Sequence, residues 1–184
     1  NDQSTEPTLV DEGPVPAFDE SMTPQVDVRN EVIFVDTGVN DYQQLVEDLW
    51  NVNDASREVD VGLLSKDSDR IAQITAALSL RSEVDVGHFG SHGTNNAVKL
   101  GSTWITSDNL SEFRDQIGGW RSSLTEGADL LFYGCELGST IEGQTLLKTI
   151  SDLTGADLAA SIDDTGNVVL GGDWDLEFRI GEVE

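Results

Sequence analysis

The chain has 184 residues, 35 of them acidic and 10 basic, for a formal net charge of −25. That length accommodates one domain with a sizeable core, and no apolar run approaches the roughly 20 residues a membrane-crossing helix needs. A surface this negative repels nucleic acid and anionic lipid, and the single cysteine excludes an internal disulfide or a cysteine-rich zinc site.

The charge suits a secreted, marine or calcium-rich setting, or simply a soluble acidic surface. No basic segment precedes an apolar stretch at the start, although a secretion signal can lie elsewhere in a longer chain.

Residues 1–29 hold all four prolines (Pro7, Pro14, Pro16 and Pro24), many acidic residues and no helical or strand period. They read as an extended arm or linker, leaving residues 30–184 as the folded domain. Residues 31–36 form an apolar strand ending in Asp36. Tyr42, Leu45, Val46, Leu49 and Trp50 then fall on one helical face. A second strand spans 59–64, interrupted by Asp60. Ser68 is a candidate cap for a helix carrying Ile71, Ile74, Ala77 and Leu78. The third strand, 84–89, runs into Gly90, Ser91, His92 and Gly93.

The rhythm then changes. Residues 97–100 and 103–105 predict a small hairpin. A long helix follows, with Leu110, Phe113, Ile117, Trp120 and Leu124 inward, weakened at Gly118 and Gly119. Residues 129–133 are the fourth strand, ending at Gly134 and Cys135. Leu146, Leu147, Ile150 and Leu153 mark the next helix, with Gly155 at its end. A fifth strand at 157–161 and a terminal hairpin, 168–170 with 174–180, complete the chain. Strands alternating with helices predict a mostly parallel sheet with helices on both faces; periodicity does not give the strand order.

The only cysteine and one of two histidines therefore follow two candidate parallel strands, at the edge where open α/β sheets build sites. An imidazole can make a thiol into a nucleophilic thiolate, so His92 and Cys135 are a candidate base and nucleophile. Neighbouring glycines allow close backbone approach, and a free N–H beside His92 could hold an oxyanion. The bland alternative is a buried thiol and an unremarked loop histidine. His88 alternates in phase with Val84 and Val86 and reads as a hydrogen-bonded core residue.

Asp36 shares the same edge, where it could orient His92, line a pocket or cap a turn. Ser161 and Asp163, after the fifth strand, could face a basic side chain or make ordinary turn bonds. Asp163, Asp164, Asp173 and Asp175 could offer oxygens to calcium, without matching a complete EF-hand loop. Trp104, Trp120 and Trp174 fit core faces. No nucleophile elbow, Walker loop or dinucleotide fingerprint is present.

Several motifs in order carry a resemblance: Val35-Asp36-Thr37-Gly38-Val39; Ser91-His92-Gly93 followed by Leu100-Gly101-Ser102-Thr103-Trp104; Leu131-Phe132-Tyr133-Gly134-Cys135; Leu153-Thr154-Gly155-Ala156-Asp157; Ala160-Ser161 with Thr165-Gly166; and residues 171–177. Over residues 31–183 the chain resembles a bacterial domain of unknown function found near the N-terminus of very large surface or secreted proteins, often beside cadherin-like or other adhesin repeats.

A more distant likeness is to the clan CD cysteine peptidases, which include caspases, gingipains, clostripain, separase and the self-cleaving domains of bacterial toxins. This likeness implies a caspase-like α/β sandwich with His92 as base and Cys135 as nucleophile. It also implies an oxyanion hole from the N–H groups of Gly93 and Cys135, with no required cofactor. The sequence has Tyr133-Gly134 before the cysteine and lacks the arginine-based aspartate pocket of caspases. Asp36, Ser161 and Asp163 would suit a basic P1 residue.

The implied activity is a thiol protease, secreted or at the cell surface, whose substrate is its own chain or parent protein; Arg29 is a candidate bound or cleaved residue, or simply a solvated charge before a strand. The competing expectations are a catalytically silent interaction module and a calcium-stabilised structural domain of an adhesin.

Overall fold

The computed structural model describes residues 28–37, 42–50, 55–65, 69–90, 92–100, 103–134, 136–165 and 173–184, with the backbone alone given for residues 45, 48–50 and 92. Nine strands and four α-helices occur among them: β1 (Arg29–Asp36), α1 (Tyr42–Trp50), β2 (Arg57–Leu64), α2 (Arg70–Ser79), β3 (Val84–Gly90), β4 (His92–Thr94), β5 (Ala97–Leu100), β6 (Thr103–Thr106), α3 (Arg114–Gly119), β7 (Leu124–Phe132), α4 (Ile141–Thr154), β8 (Asp157–Ala160) and β9 (Phe178–Ile180). Six strands form the main sheet in the order β2-β1-β3-β7-β8-β9. The first five are parallel and β9 is antiparallel to β8. The expected α/β class and its C-terminal antiparallel pairing are present, although residues 168–170, half of the expected terminal hairpin, lie outside the described residues.

Strand alternation sorts the sheet into two faces. One face carries Val32 and Phe34 of β1, Phe89 of β3, Leu130 and Phe132 of β7, and Leu158 and Ala160 of β8. These join Ile71, Ile74 and Leu78 of α2, Ile117 of α3 and Leu146, Leu147 and Ile150 of α4 in one apolar core. Phe89 stacks on Phe34, Trp120 and Phe132 within it. The other face carries Glu31 and Ile33 of β1, His88 of β3 and Leu131 of β7, which the strand register sets side by side.

Asp69, rather than Ser68, caps α2: its carboxylate accepts from the N–H groups of Ile71 and Ala72. Ser68 lies outside the described residues. Gly155 ends α4 at φ 74°, a left-handed position that glycine takes without strain.

The expected long helix over 110–124 is instead three short pieces. A 3-10 turn covers Leu110–Phe113, α3 follows, and a second 3-10 turn covers Trp120–Ser123. Each piece buries one anchor, in turn Leu110, Ile117 and Trp120, and the Trp120 indole N–H donates to Thr75 Oγ1 at 2.9 Å. Packing of α3 and the second turn against α2 and α4 thus decides the path over a weak local helix preference. Trp120 is core as expected, but Trp104 is 40% exposed, with the Lys99 ammonium over its ring. Trp174 is half-buried with its ring edge-on to Tyr133.

The predicted hairpin gains a third strand. β4 pairs antiparallel with β5, and β5 with β6, in a separate small sheet that follows directly from β3. β1 and β7 are both longer than expected. The Arg29 N–H bonds the Ser56 carbonyl, and Asn30 N–H bonds Asp85, so β1 takes in the residue assigned to the end of the arm.

Candidate functional site

From β1 the chain runs outward to β2 and then returns past β1 to start β3 on the other side. The crevice at the carboxyl ends of β1 and β3 is therefore a topological switch point, where ligands of open α/β sheets bind. Four neighbouring strands deliver the sequence candidates to this one edge. β1 ends in Asp36, β3 leads to His92 and Gly93 in β4, β7 leads through Tyr133 and Gly134 towards Cys135, and β8 leads to Ser161. β3 and β7 are adjacent, with Phe89 opposite Phe132, and the Tyr133 N–H reaches the Phe89 carbonyl at 3.0 Å. Cys135 and the His92 side chain themselves lie outside the described residues.

The backbone around Cys135 is held from two directions. On one side, Glu136 N–H donates to the Asp163 carbonyl at 2.9 Å and Gly138 N–H to the Ser161 carbonyl at 2.8 Å. On the other, the Thr140 hydroxyl donates to the carbonyl of Asn95, in the turn between β4 and β5. Glu136 takes φ 57°, a costly value for a side-chain-bearing residue, so its surroundings over-determine this loop.

Asp36 is not open to a ligand. It is 3% exposed and ion-paired with Arg70 of α2, itself 1% exposed, whose Nε also donates to the Ser65 carbonyl at 2.7 Å. Its carboxylate is thus committed to an internal cation, which corrects the expectation that it meets a basic substrate side chain. Ser161 is fully buried, and its hydroxyl donates to the Asp163 carbonyl (3.0 Å) while accepting from the Asp163 N–H (3.2 Å). That is the turn chemistry offered as its alternative reading.

Asp163 is exposed, and its carboxylate lies within 4.8 Å of those of Asp173 and Glu177. Asp164 and Asp175, also named from the sequence, are not part of this group; Asp175 N–H instead donates to Asp173 Oδ1 at 3.0 Å. Glu177 Oε2 accepts from the Ile162 N–H at 3.0 Å. An all-oxygen group of this charge suits a hard cation such as calcium, or equally a guanidinium or ammonium group.

His88 is buried, as its phase predicts, and both ring nitrogens are engaged: Nε2 with Glu31 Oε2 at 3.0 Å and Nδ1 with Tyr133 Oη at 3.1 Å. Arg57 adds a two-pronged pair to Glu31. Burial pushes the Glu31 carboxyl upward, but the hydrogen bonds from Arg57 and His88 outweigh it and hold the group at about 2. Burial, with the Glu31 charge, raises the Tyr133 phenol to about 12. The ionised carboxylate can only accept, so Nε2–H donates to Glu31 while Nδ1 shares its hydrogen bond with the Tyr133 hydroxyl.

Arg29 lies at the opposite edge. It begins β1, roughly 23 Å along the strand from Asp36, and its guanidinium bonds buried Asp129 at 2.9 Å. It is a structural pair at the wrong end of the sheet, not a residue presented to the His92–Cys135 edge. Sequence reasoning missed Arg70, Thr140, Asn95 and Glu177, whose roles come from contacts far along the chain. Only Thr140 carried a local signal, a hydroxyl just before a helical pattern.

An open, mostly parallel α/β domain with a loop-built edge at its switch point is the class this geometry defines. Within that class the chain belongs to the family described as Domain of unknown function (DUF4347), which matches residues 32–184. No curated protein matches it. Among solved structures, a short chain dehydrogenase family protein from Francisella tularensis subsp. tularensis SCHU S4 is similar at 13% identity and TM-score 0.35. The match covers 70% of this chain and 59% of that one. The chain thus spans under two thirds of that protein, and a likeness this distant carries no functional argument.

Proposed function

We propose that the domain is a cysteine endopeptidase of clan CD type that processes its own chain or the large adhesin-like surface protein carrying it. His92 is the base, Cys135 the nucleophile, and the N–H groups of Gly93 and Cys135 the oxyanion donors. One observation carries the reading: the segments holding residues 92 and 135 leave the carboxyl ends of the adjacent parallel strands β3 and β7. A base and a nucleophile on neighbouring loops of one edge is the arrangement that thiol activation requires. The net charge of −25 fits a secreted or cell-surface setting.

In this mechanism His92 takes the Cys135 thiol proton and the thiolate attacks the scissile carbonyl. The backbone N–H groups hold the oxyanion, and the imidazolium then protonates the leaving amine. Water hydrolyses the thioester with His92 again as base. Asp163, with Asp173 and Glu177, is the acidic group for a basic P1 side chain; Asp36 has no part in it.

Two experiments test this. In the longer protein with native flanks, intact mass should show cleavage by the wild type and none by Cys135→Ala; cleavage that persists without the thiol refutes the mechanism. Labelling of Cys135 by iodoacetamide at pH 7 should fall about tenfold or more in His92→Ala. For specificity, Asp163→Asn with Asp173→Asn should lower kcat/KM for arginyl substrates by about tenfold or more, with little change in Tm. An unchanged kcat/KM removes this group from the pocket.

The carboxylate group favours one other reading, a calcium-stabilised adhesin module without turnover. That reading expects calcium at about 100 times its Kd to add about 2.7 kcal/mol of stability, together with a Cys135 that does not label.

A further inference from the structure

The geometry points to Thr140 and Gly143 as a clasp that sets the spacing between the loop carrying His92 and the loop carrying Cys135. This rests on the peptidase reading above and extends it to residues that touch neither substrate nor thiol.

Thr140 is the cap of α4: its hydroxyl oxygen accepts from the Gly143 N–H at 3.2 Å. A cap needs only to accept, yet this hydroxyl also donates outward, to the Asn95 carbonyl 45 residues earlier. Asn95 is three residues beyond His92, in the β4–β5 turn whose register fixes His92 opposite Lys99. One oxygen therefore ties the first turn of α4 to the histidine-bearing hairpin.

Gly143 closes the same junction from the helix side. A Cβ there would lie 2.0 Å from the Leu137 carbonyl oxygen and 2.8 Å from that of Asn95. Both obstacles are backbone, which cannot swing aside as a side-chain tip can. Leu137 is fully buried and stands two residues after Cys135. The Gln144 side chain adds a 2.9 Å bond to the Gly138 carbonyl. Three backbone segments, one from each loop and one from the helix, thus meet at Gly143. A displacement of about 1 Å between reacting groups can cost about 100-fold in rate, so a fixed three-way contact is what a dyad split between two loops needs. Thr140 and Gly143 are positioning residues; neither is placed among the reacting groups.

The test separates capping from positioning. Thr140→Ser keeps both bonds. Thr140→Asp keeps the cap, since a carboxylate accepts from the helix N–H, but has no proton to donate to Asn95. Thr140→Ala removes both without adding charge. The readout is the pH profile of Cys135 alkylation by iodoacetamide, with Tm measured alongside. Wild type and Thr140→Ser should show a thiolate formed well below the ordinary thiol value of about 8.5. In Thr140→Asp and Thr140→Ala the profile should move up towards that value, lowering the rate at pH 6.5 about tenfold or more. Rescue by Ser with loss in both Asp and Ala is the expected pattern. Wild-type profiles in the folded Asp or Ala variant would overturn the clasp while leaving the dyad standing. Should the wild type itself give an ordinary thiol profile indifferent to His92→Ala, the peptidase reading falls and the clasp falls with it.

Discussion

Phe89→Ala should lower the unfolding free energy by about 3–5 kcal/mol, a large share of the 5–15 kcal/mol typical of a domain. Phe89 is 1% exposed. Its ring lies 4.7 Å from that of Phe132, 5.5 Å from Phe34 and 5.8 Å from Trp120, centroid to centroid. Those rings come from β1, β7 and the 3-10 turn after α3, so truncation opens a cavity where three elements meet and none can close it alone. Offset stacking adds to what burial contributes. Urea denaturation should show a lower midpoint with an unchanged slope. Trp104→Ala, at a ring left 40% exposed, provides the contrast and should stay within about 1 kcal/mol. Equal losses at the two positions would contradict the assigned core.

Glu31→Gln should cost about 3 kcal/mol at pH 7, because it leaves Arg57 and His88 facing a neutral amide in a buried place. Wild-type stability should carry the matching pH signature. The Glu31 carboxyl sits near 4.5 when unfolded and at about 2 when folded, so between those values the unfolded chain binds more protons. The contribution of about 3 kcal/mol is therefore complete above about pH 4.5 and lost as pH falls towards 2. Asp129 opposes it, since burial raises its pKa and its ionisation costs stability as pH rises. Urea midpoints from pH 7 down to 2.5 should thus fall steeply in wild type and less in Glu31→Gln. Parallel acid limbs would show that Glu31 is not the group responsible.

Much of the candidate site was legible because it is written at strand ends. Residues 31–36 and 84–89 are short apolar runs, and the residues that follow such runs in a parallel sheet gather at one edge. That pattern sets the ends of β1, β3, β7 and β8 at one edge, as the strand order has them, while Cys135 and the His92 side chain lie outside the described residues. Individual roles were less legible. Asp36 looked open because Arg70 lies on another element, and a carboxylate at a strand end gives no sign of a buried partner. Arg29 read as a solvated charge or as a bound or cleaved residue, because nothing local announces Asp129, 100 residues away. The helix expected over 110–124 failed for a related reason: its apolar spacing fits a helix, but α3 and the turn carrying Trp120 pack against both α2 and α4 as short pieces.

By itself, the sequence determined the alternation of strands and helices, the buried side of most of them, the internal role of His88 and which residues follow the ends of the parallel strands. These are properties of local pattern: side-chain period, turn chemistry and the chemical types available. Tertiary structure alone decided the order β2-β1-β3-β7-β8-β9, the joining of Glu31, Arg57, His88 and Tyr133 into one network, and the meeting of Thr140 and Gly143 with Asn95 and Leu137. A period of two states which way a side chain points but not which strand lies beside it. Backbone carbonyls, the acceptors at Asn95 and Leu137, are the same in every residue and leave no mark in a sequence.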